Sequence, residues 1–436
     1  MTQRATTMVA VLALFVGGVV APASAGEWTL VGSRYQGMGG AGVASVNDAF
    51  ASYWNPAALA MAQSYDAQIN LDFQAAVEGD LLDTLDSIDG LNDDVGDILD
   101  GNDPVESDVQ SLLDLGDALE NLGSEGSGLI GNGSVGLNLR WKKYAVFTRV
   151  DAQFAVASVA DANLTPPNVN DPENPSPAEI VSLNAYVDDL NDSNAGARVR
   201  GLAVSETGVG YGHAFEVPFA EMVGLESLGT FNVGANLKYM RGLTFNKYVN
   251  FKDADEADLD FGDSDLRKES NNFGLDLGFL YTPIEMVQIG MVARNVNSPK
   301  FKTGSGRSFQ LDAQVRGGIA VFPFKSKWLV IASDLDLTKN ESDLLEGFES
   351  RTWAIGVETI FQLSAVRLAL RGGGYLNTVS DADQSFVFTA GAGIKVWMFS
   401  LDLAGGMTTH MIDVGGGDKL PSRFNGSAIL AVRGNF

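Results

Sequence analysis

QSFVFTAGAGIKV, residues 384–396, alternates in side-chain character with a period of two. Phe386, Phe388, Ala390, Ala392, Ile394 and Val396 share one parity, while Ser385, Thr389, Gly391, Gly393 and Lys395 share the other. Successive side chains of a strand point to opposite faces, so this spacing specifies a strand with one apolar face and one polar or small face. The pattern recurs upstream. In 134–141, Val135, Leu137, Leu139 and Trp141 oppose Ser134, Asn138 and Arg140. In 231–239, Phe231, Val233, Ala235, Leu237 and Tyr239 oppose Asn232, Asn236 and Lys238. Asp312, Gln314 and Arg316 stand against Leu311, Val315, Ile319 and Val321, and Asp334 and Asp336 against Leu335 and Leu337.

A soluble sandwich also alternates, so strand length and layout decide between the two. Fourteen strands are predicted: 65–77, 131–141, 144–158, 201–215, 229–250, 268–282, 286–296, 309–322, 327–337, 350–361, 365–378, 384–396, 398–412 and 422–436. Most exceed the usual length of about 5–6 residues for soluble strands and suit tilted membrane strands. Short connections near 142–143, 283–284, 325–326, 362–363 and 397 interleave with long ones at 78–130, 159–200, 251–267, 297–308, 338–349, 379–383 and 413–421. Tight turns at one end, long loops at the other and an even strand count describe an outer-membrane barrel. Trp141, Tyr144, Tyr281, Phe322, Phe324, Trp328, Phe361, Trp397 and Phe399 all sit beside short connections, where a meander places them at one height as an interfacial girdle.

The chain begins with an export signal. Arg4 precedes the apolar run MVAVLALFVGGVV (8–20), and Ala23-Ser24-Ala25 supplies small residues at the cleavage positions. The run is too short for a membrane-spanning helix, which needs about 20 residues. The expected organisation is a signal peptide at 1–25, an N-terminal segment at 26–64 and a barrel at 65–436.

Composition narrows the chemistry. There is no cysteine, and His213 and His410 are the only histidines, so thiolate sites, multi-histidine metal centres and a Ser-His nucleophile are not supported. No G-x-S-x-G elbow occurs, no cofactor is called for, and an enzyme is not expected. With 55 acidic against 29 basic residues and a net charge of −26, nucleic acid is excluded as a partner. Glycine is frequent, with 50 residues, and many fall on the inward parity: Gly136, Gly234, Gly278, Gly318, Gly356, Gly373 and Gly391 leave space that either widens a lumen or admits a plug. Arg140, Arg149, Asp151, Lys238, Asp276, Arg294, Arg316, Glu358, Arg367, Arg371 and Asp402 share that parity and must be wet or paired.

The segment GSRYQGMGGAGVASVNDAFASYWNPAALAMA (32–62) contains G-x-G-x-x-G but lacks a preceding strand, and Asn55-Pro56 breaks the helix that a dinucleotide site needs. It reads better as a tightly packed plug. Gly37-Met38-Gly39-Gly40, the acidic Asp48 and the motif Asn55-Pro56-Ala57 after Tyr53-Trp54 resemble the hatch of the FadL/TodX family of outer-membrane transporters. The helical insertion after the first strand, SDLDLT (333–338) and LRGGGYLNT (370–378) are most similar to a subgroup labelled conjugal-transfer TraF-type, with PorV-like relatives. The resemblance implies an all-β fold: a 14-stranded antiparallel transmembrane β-barrel with an N-terminal hatch plugging the lumen. It also implies passage of hydrophobic small molecules in transporter members, which open laterally at a kinked third strand. The third strand here has neither glycine nor proline. Phe436 resembles the C-terminal aromatic that outer-membrane assembly machinery recognises.

The acid concentrates in the loops. Between Glu78 and Glu125 there are 16 acidic and no basic residues, yet Leu81, Leu85, Ile88, Leu91, Val95 and Ile98, then Val105, Val109, Leu112, Leu119 and Leu122, recur at helical spacing. In the 159–200 loop, Ser176-Pro177-Ala178-Glu179 is a capping box opening a third helix. The third long loop carries a second acidic run at 253–265; neither run matches a calcium loop, and both read as solvated. These observations lead to two functional expectations. One is a FadL-like channel in the outer membrane of a Gram-negative bacterium, embedded in outer-membrane lipid and taking a hydrophobic ligand. The other is a non-transport structural or interaction protein serving conjugation or secretion.

Overall fold

The computed structural model describes residues 26–434, apart from 62–64, 80, 123–125, 162–163, 217–228, 251–266, 304–307, 325–326, 380–384 and 414–418. The expected signal peptide, the terminal Phe436 and the acidic run 253–265 lie outside the described residues.

Fourteen strands form one closed barrel. They are β1 (Tyr65–Glu78), β2 (Gly128–Trp141), β3 (Tyr144–Val159), β4 (Gly196–Glu216), β5 (Thr230–Asn250), β6 (Arg267–Ile284), β7 (Val287–Arg294), β8 (Gln314–Val321), β9 (Leu329–Asp336), β10 (Thr352–Leu363), β11 (Val366–Asn377), β12 (Val387–Val396), β13 (Phe399–Thr408) and β14 (Arg423–Gly434). Each pairs antiparallel with the next, and β14 closes on β1 from Tyr65↔Gly434 to Ala76↔Arg423. Closure removes every sheet edge, the condition for placing strands in lipid. All fourteen sequence-predicted strands have their counterpart.

The barrel is inside-out relative to a soluble protein. On β1, Gln68, Asn70, Asp72 and Gln74 are buried while Ile69, Leu71 and Phe73 face outward. At the tight-turn end, Lys142, Ser364 and Trp397 each take φ near +55° as the first residue of a two-residue turn, matching the twist a hairpin requires. The β6–β7 ladder slips between Tyr281 and Ile284, where Pro283 has no N–H to donate.

Trp141, Tyr144, Phe324, Trp328, Phe361, Trp397 and Phe399 are exposed around the tight-turn end, as a girdle requires, and Tyr281 stacks on Phe231 with centroids 4.3 Å apart. Phe322 corrects the expectation. It continues the inward parity of Arg316, Gly318 and Ala320, so it is buried in the luminal core beneath Lys327.

Two predicted strands are each split. Ser308–Gln310 pairs with Lys300–Lys302 in a ribbon separate from the barrel sheet, and Met411–Asp413 pairs with Lys419–Pro421. At the long-loop end, β4 and β5 run for 21 residues each, well beyond the roughly 9–11 that a tilted membrane strand needs. Above this tall wall sit α1 (Leu81–Leu99), α2 (Val109–Asn121) and α3 (Pro177–Asn191). Their apolar stripes meet one another, with Val95, Val109, Leu112, Leu115, Leu183 and Tyr186 sharing one core. The Asn191 side chain donates to the Leu99 carbonyl at 2.9 Å. The helices therefore form a self-packed cap.

Candidate functional site

The hatch has no strand or long helix to organise it. It contains single helical turns at Ser33–Gln36 and Ala51–Trp54 and a 3-10 turn at Pro56–Ala60. Of residues 26–59, only Asn47 is exposed. Trp54 is its hub: the ring packs beside Trp28, Tyr35 and Tyr53 at centroid distances of 6.2, 5.2 and 5.6 Å. Its Nε1 donates to the Val31 carbonyl at 2.9 Å. Asn55 caps the 3-10 turn by accepting from Ala57 N at 3.1 Å, with Pro56 in the first position, where a missing N–H costs nothing. Its Nδ2 donates to Val43 O within the hatch and to Phe279 O on β6, both at 3.0 Å. Asn55 is thus cap, internal tie and wall tie together.

Asp48 accepts from the Tyr35 hydroxyl at 2.8 Å and from Phe50 N at 3.0 Å, and it lies 3.9 Å from Arg34 and 3.7 Å from Arg433. Gly37 lies against Gly391, Met38 against Gly356 and Gly373, and Gly40 against Leu30. Gly39, at φ +65°, sits so close to Gly374 that a Cβ would fall 2.3 Å from its carbonyl oxygen. The wall glycines are therefore slots. A side chain at Gly234 would meet Pro56 at 2.2 Å, and one at Gly278 would meet Asn55 at 2.3 Å. Of the two uses the sequence left open for inward glycines, the structure shows the plug.

The polar wall side chains reach the hatch backbone. Asp334 accepts from Gly42 N and Val43 N, both at 2.8 Å. Asp72, Asp66 and Gln74 each accept one hatch amide, from Gly32, Ala49 and Leu30, at 3.0 Å. Arg140 donates to the Ala58 and Leu59 carbonyls, and Asn236 donates to Ser52 O at 2.7 Å. The hatch amides have little regular structure to satisfy them, and the wall supplies their partners. Inward parity marked several of these residues as luminal; nothing local in the sequence showed which hatch amide each would meet.

Most of the charged side chains inside are paired, as burial demands. Glu358 binds Arg34 of the hatch at 2.7 Å and Arg371 of the wall at 2.9 Å, and Arg371 reaches Asp402 at 2.7 Å. Arg149 pairs with Asp151 and Glu206, Lys238 with Glu206 and Asp276, and Arg316 with Asp336. Arg294 lies over Tyr53 at 4.1 Å, a cation–π seat against the hatch. Arg367 departs from the rule, being exposed at the tight-turn mouth. Among the described residues, no group of three or more potential ligands is arranged to hold a metal ion.

Cavities lie at both mouths, about 650 Å³ at the long-loop end and about 340 Å³ at the tight-turn end. Between them, a gap beside Tyr53, Glu206 and Arg294 measures about 10 Å³, roughly room for one water.

Solved structures similar to this chain include the TodX deltaS2S3 mutant monoaromatic hydrocarbon channel, at 11% identity and TM-score 0.46, covering 94% of this chain and 100% of that one. A Pseudomonas aeruginosa FadL homologue aligns at 10% identity and TM-score 0.42, over 94% and 99%. The Pseudomonas putida toluene transporter TodX aligns at 11% and 0.42, over 96% and 100%. No curated protein sequence matches. The family model described as "F plasmid transfer operon, TraF, protein" matches residues 52–336, well over half of the sequence, and the chain belongs to that family.

Proposed function

We propose that this protein is an outer-membrane β-barrel serving as a closed scaffold, which presents an acidic helical cap to partners in a transfer or secretion apparatus. The apolar exterior and the girdle support membrane placement. The family description supports the setting. The observation that carries the reading is the sealing of the lumen: wall acids and amides bind the hatch backbone, and Glu358 joins hatch to wall. Beside Tyr53, Glu206 and Arg294 the gap left between hatch and wall holds only about 10 Å³. β3 is also paired along its length, to β2 from 144 to 156 and to β4 from 144 to 159, without a register break. That continuity speaks against a lateral opening there. In planar bilayers, the intact protein should conduct no more than background, and a variant lacking 27–61 should conduct strongly. Deleting 81–121 should abolish partner capture while sparing barrel assembly; full capture without the cap would refute the scaffold role.

A second reading, passage of hydrophobic small molecules, is favoured by one feature. Met240, Phe301, Phe309, Leu344, Leu345 and Phe348 form an apolar cluster at the long-loop mouth, bordering the larger cavity. Uptake of an apolar aromatic compound that falls on deletion of the protein and returns with the intact chain would favour this reading over the scaffold.

A further inference from the structure

The tight-turn mouth is the opposite of the acidic cap. Its cavity, about 340 Å³, is lined by six cations (Arg34, Lys327, Arg367, Arg371, Lys395 and Arg433) against four carboxylates, Asp48, Asp66, Glu358 and Asp402. In a chain of net charge −26 this is a local inversion of sign. The carboxylates are engaged: Glu358 holds Arg34 and Arg371, Asp402 holds Arg371, and Asp48 and Asp66 face Arg433 at 3.7 and 3.5 Å. Lys327 lies over Phe322. Arg367 and Lys395 remain, and among the described residues neither is in ion-pair contact with a carboxylate.

The register places these two side by side. Arg367 of β11 is the direct cross-strand partner of Lys395 of β12, and Lys395 is in turn the partner of Ser400 of β13. Like charges directly opposite one another destabilise a sheet. Ser400 is 8% exposed, and its buried hydroxyl has no hydrogen-bond partner among the described residues. Two cations without ion-pair contact and an unsatisfied hydroxyl therefore form one row across three adjacent strands, spanning roughly 10 Å at the usual strand spacing. All three line the same cavity. An arginine fork, an ammonium and a hydroxyl together supply donors and charge for a doubly charged oxyanion.

We propose that the row Arg367–Lys395–Ser400 binds the phosphate group of a ligand entering from the tight-turn side. A free phosphate monoester and a phospholipid headgroup share this chemistry. The cavity floor includes Asn47, the exposed hatch residue, whose side chain accepts from Arg34 at 2.7 Å, so a bound ligand meets the hatch directly.

Titration calorimetry on the full-length protein in detergent, with inorganic phosphate and glycerol phosphate at fixed ionic strength, tests this. Saturable binding is expected. The R367Q/K395Q variant should bind at least about tenfold more weakly, and R367K/K395R should stay close to the parent. R367Q alone should lose affinity while gaining heat resistance, because it removes the repulsion; a purely structural residue would not move the two in opposite directions. Weaker phosphate binding in phosphatidylglycerol nanodiscs than in detergent would assign the site to a lipid headgroup, and unchanged binding would assign it to a free ester. No saturable binding to the parent protein, displacement by chloride as effectively as by phosphate, or parental affinity in R367Q/K395Q would each overturn the proposal.

Discussion

The guanidinium of Arg34 in the hatch meets the carboxylate of Glu358 in the wall with its Nε at 3.0 and 3.1 Å and its Nη2 at 2.7 Å from the two oxygens. Both residues are buried, and Glu358 also contacts Arg371, so one wall carboxylate bridges two cations, with Asp402 as the second partner of Arg371. Removing one partner of such a set leaves charge buried without compensation, at a cost of about 3–5 kcal/mol. Glu358→Gln should therefore lower the temperature at which the unboiled barrel loses its fast gel mobility. It should also raise bilayer conductance above background by freeing this end of the hatch. Unchanged heat resistance together with unchanged conductance would show that the pair does not hold the hatch.

The close approach of Gly39 to Gly374 gives a contrast with a built-in control. At φ +65°, and with a carbonyl oxygen 2.3 Å from its ideal Cβ, Gly39→Ala should cost about 2–4 kcal/mol through backbone strain and overpacking. Gly372, two residues from Gly374 on the same strand and of the same outward parity, has nothing within 4 Å of its Cβ position. Gly372→Ala should be neutral within about 0.5 kcal/mol. Denaturant midpoints for the two variants decide the matter, and equal midpoints would count against the tight hatch seat.

These glycines also mark the boundary of what sequence could reveal. The barrel was legible because a wall strand carries its own instruction: Phe388 out, Thr389 in, Ala390 out, repeated fourteen times. The capping box at Ser176 was legible for the same local reason. Phe322 sits beside the girdle residues Phe324 and Trp328, so nearness to a turn points it outward, while its parity with Arg316, Gly318 and Ala320 points it inward and decides its place. The hatch is a different problem. Gly37 with Gly391, or Asp334 with Gly42, are pairings across some 300 residues with no period linking them. Composition shows that slots and plug exist, but only the fold shows which fits which. Arg367 and Lys395 shared the inward parity of the paired charges, and their lack of a carboxylate became visible only with the register.

The acidic cap has a pH limit that can be assigned to one group. The Ser176 side chain first, then the Asn170 and Ser176 amides, which donate to Glu179 at 2.9 and 2.7 Å, hold its carboxyl down at about 2. A folded-state value below the unfolded one contributes stability that is present above the unfolded value, about 4.3 for glutamate. That contribution is lost as pH falls through about 2. Amide exchange in the first turn of α3 should therefore speed up between these limits. In Glu179→Gln, which keeps the capping-box geometry without the titration, the acceleration should disappear; its persistence would assign the pH response to another carboxylate.

Membrane embedding itself can be tested from the outward face. Leu403 lies near the middle of β13, is 52% exposed and is paired with Ala428 and Ala392 on the neighbouring strands. In water, replacing an exposed leucine by arginine changes stability by less than about 0.5 kcal/mol. At the bilayer midplane the same change costs about 2–4 kcal/mol, because the charge must be drawn into hydrocarbon, and the cost falls toward zero near the interface. Leu403→Arg should therefore destabilise the protein folded in lipid vesicles by that amount, while Phe399→Arg, four residues nearer the girdle, should cost under about 1 kcal/mol. The gradient between the two, measured by denaturant unfolding in the same vesicles, is the diagnostic quantity. Equal, negligible effects would place this face in water and refute the membrane barrel.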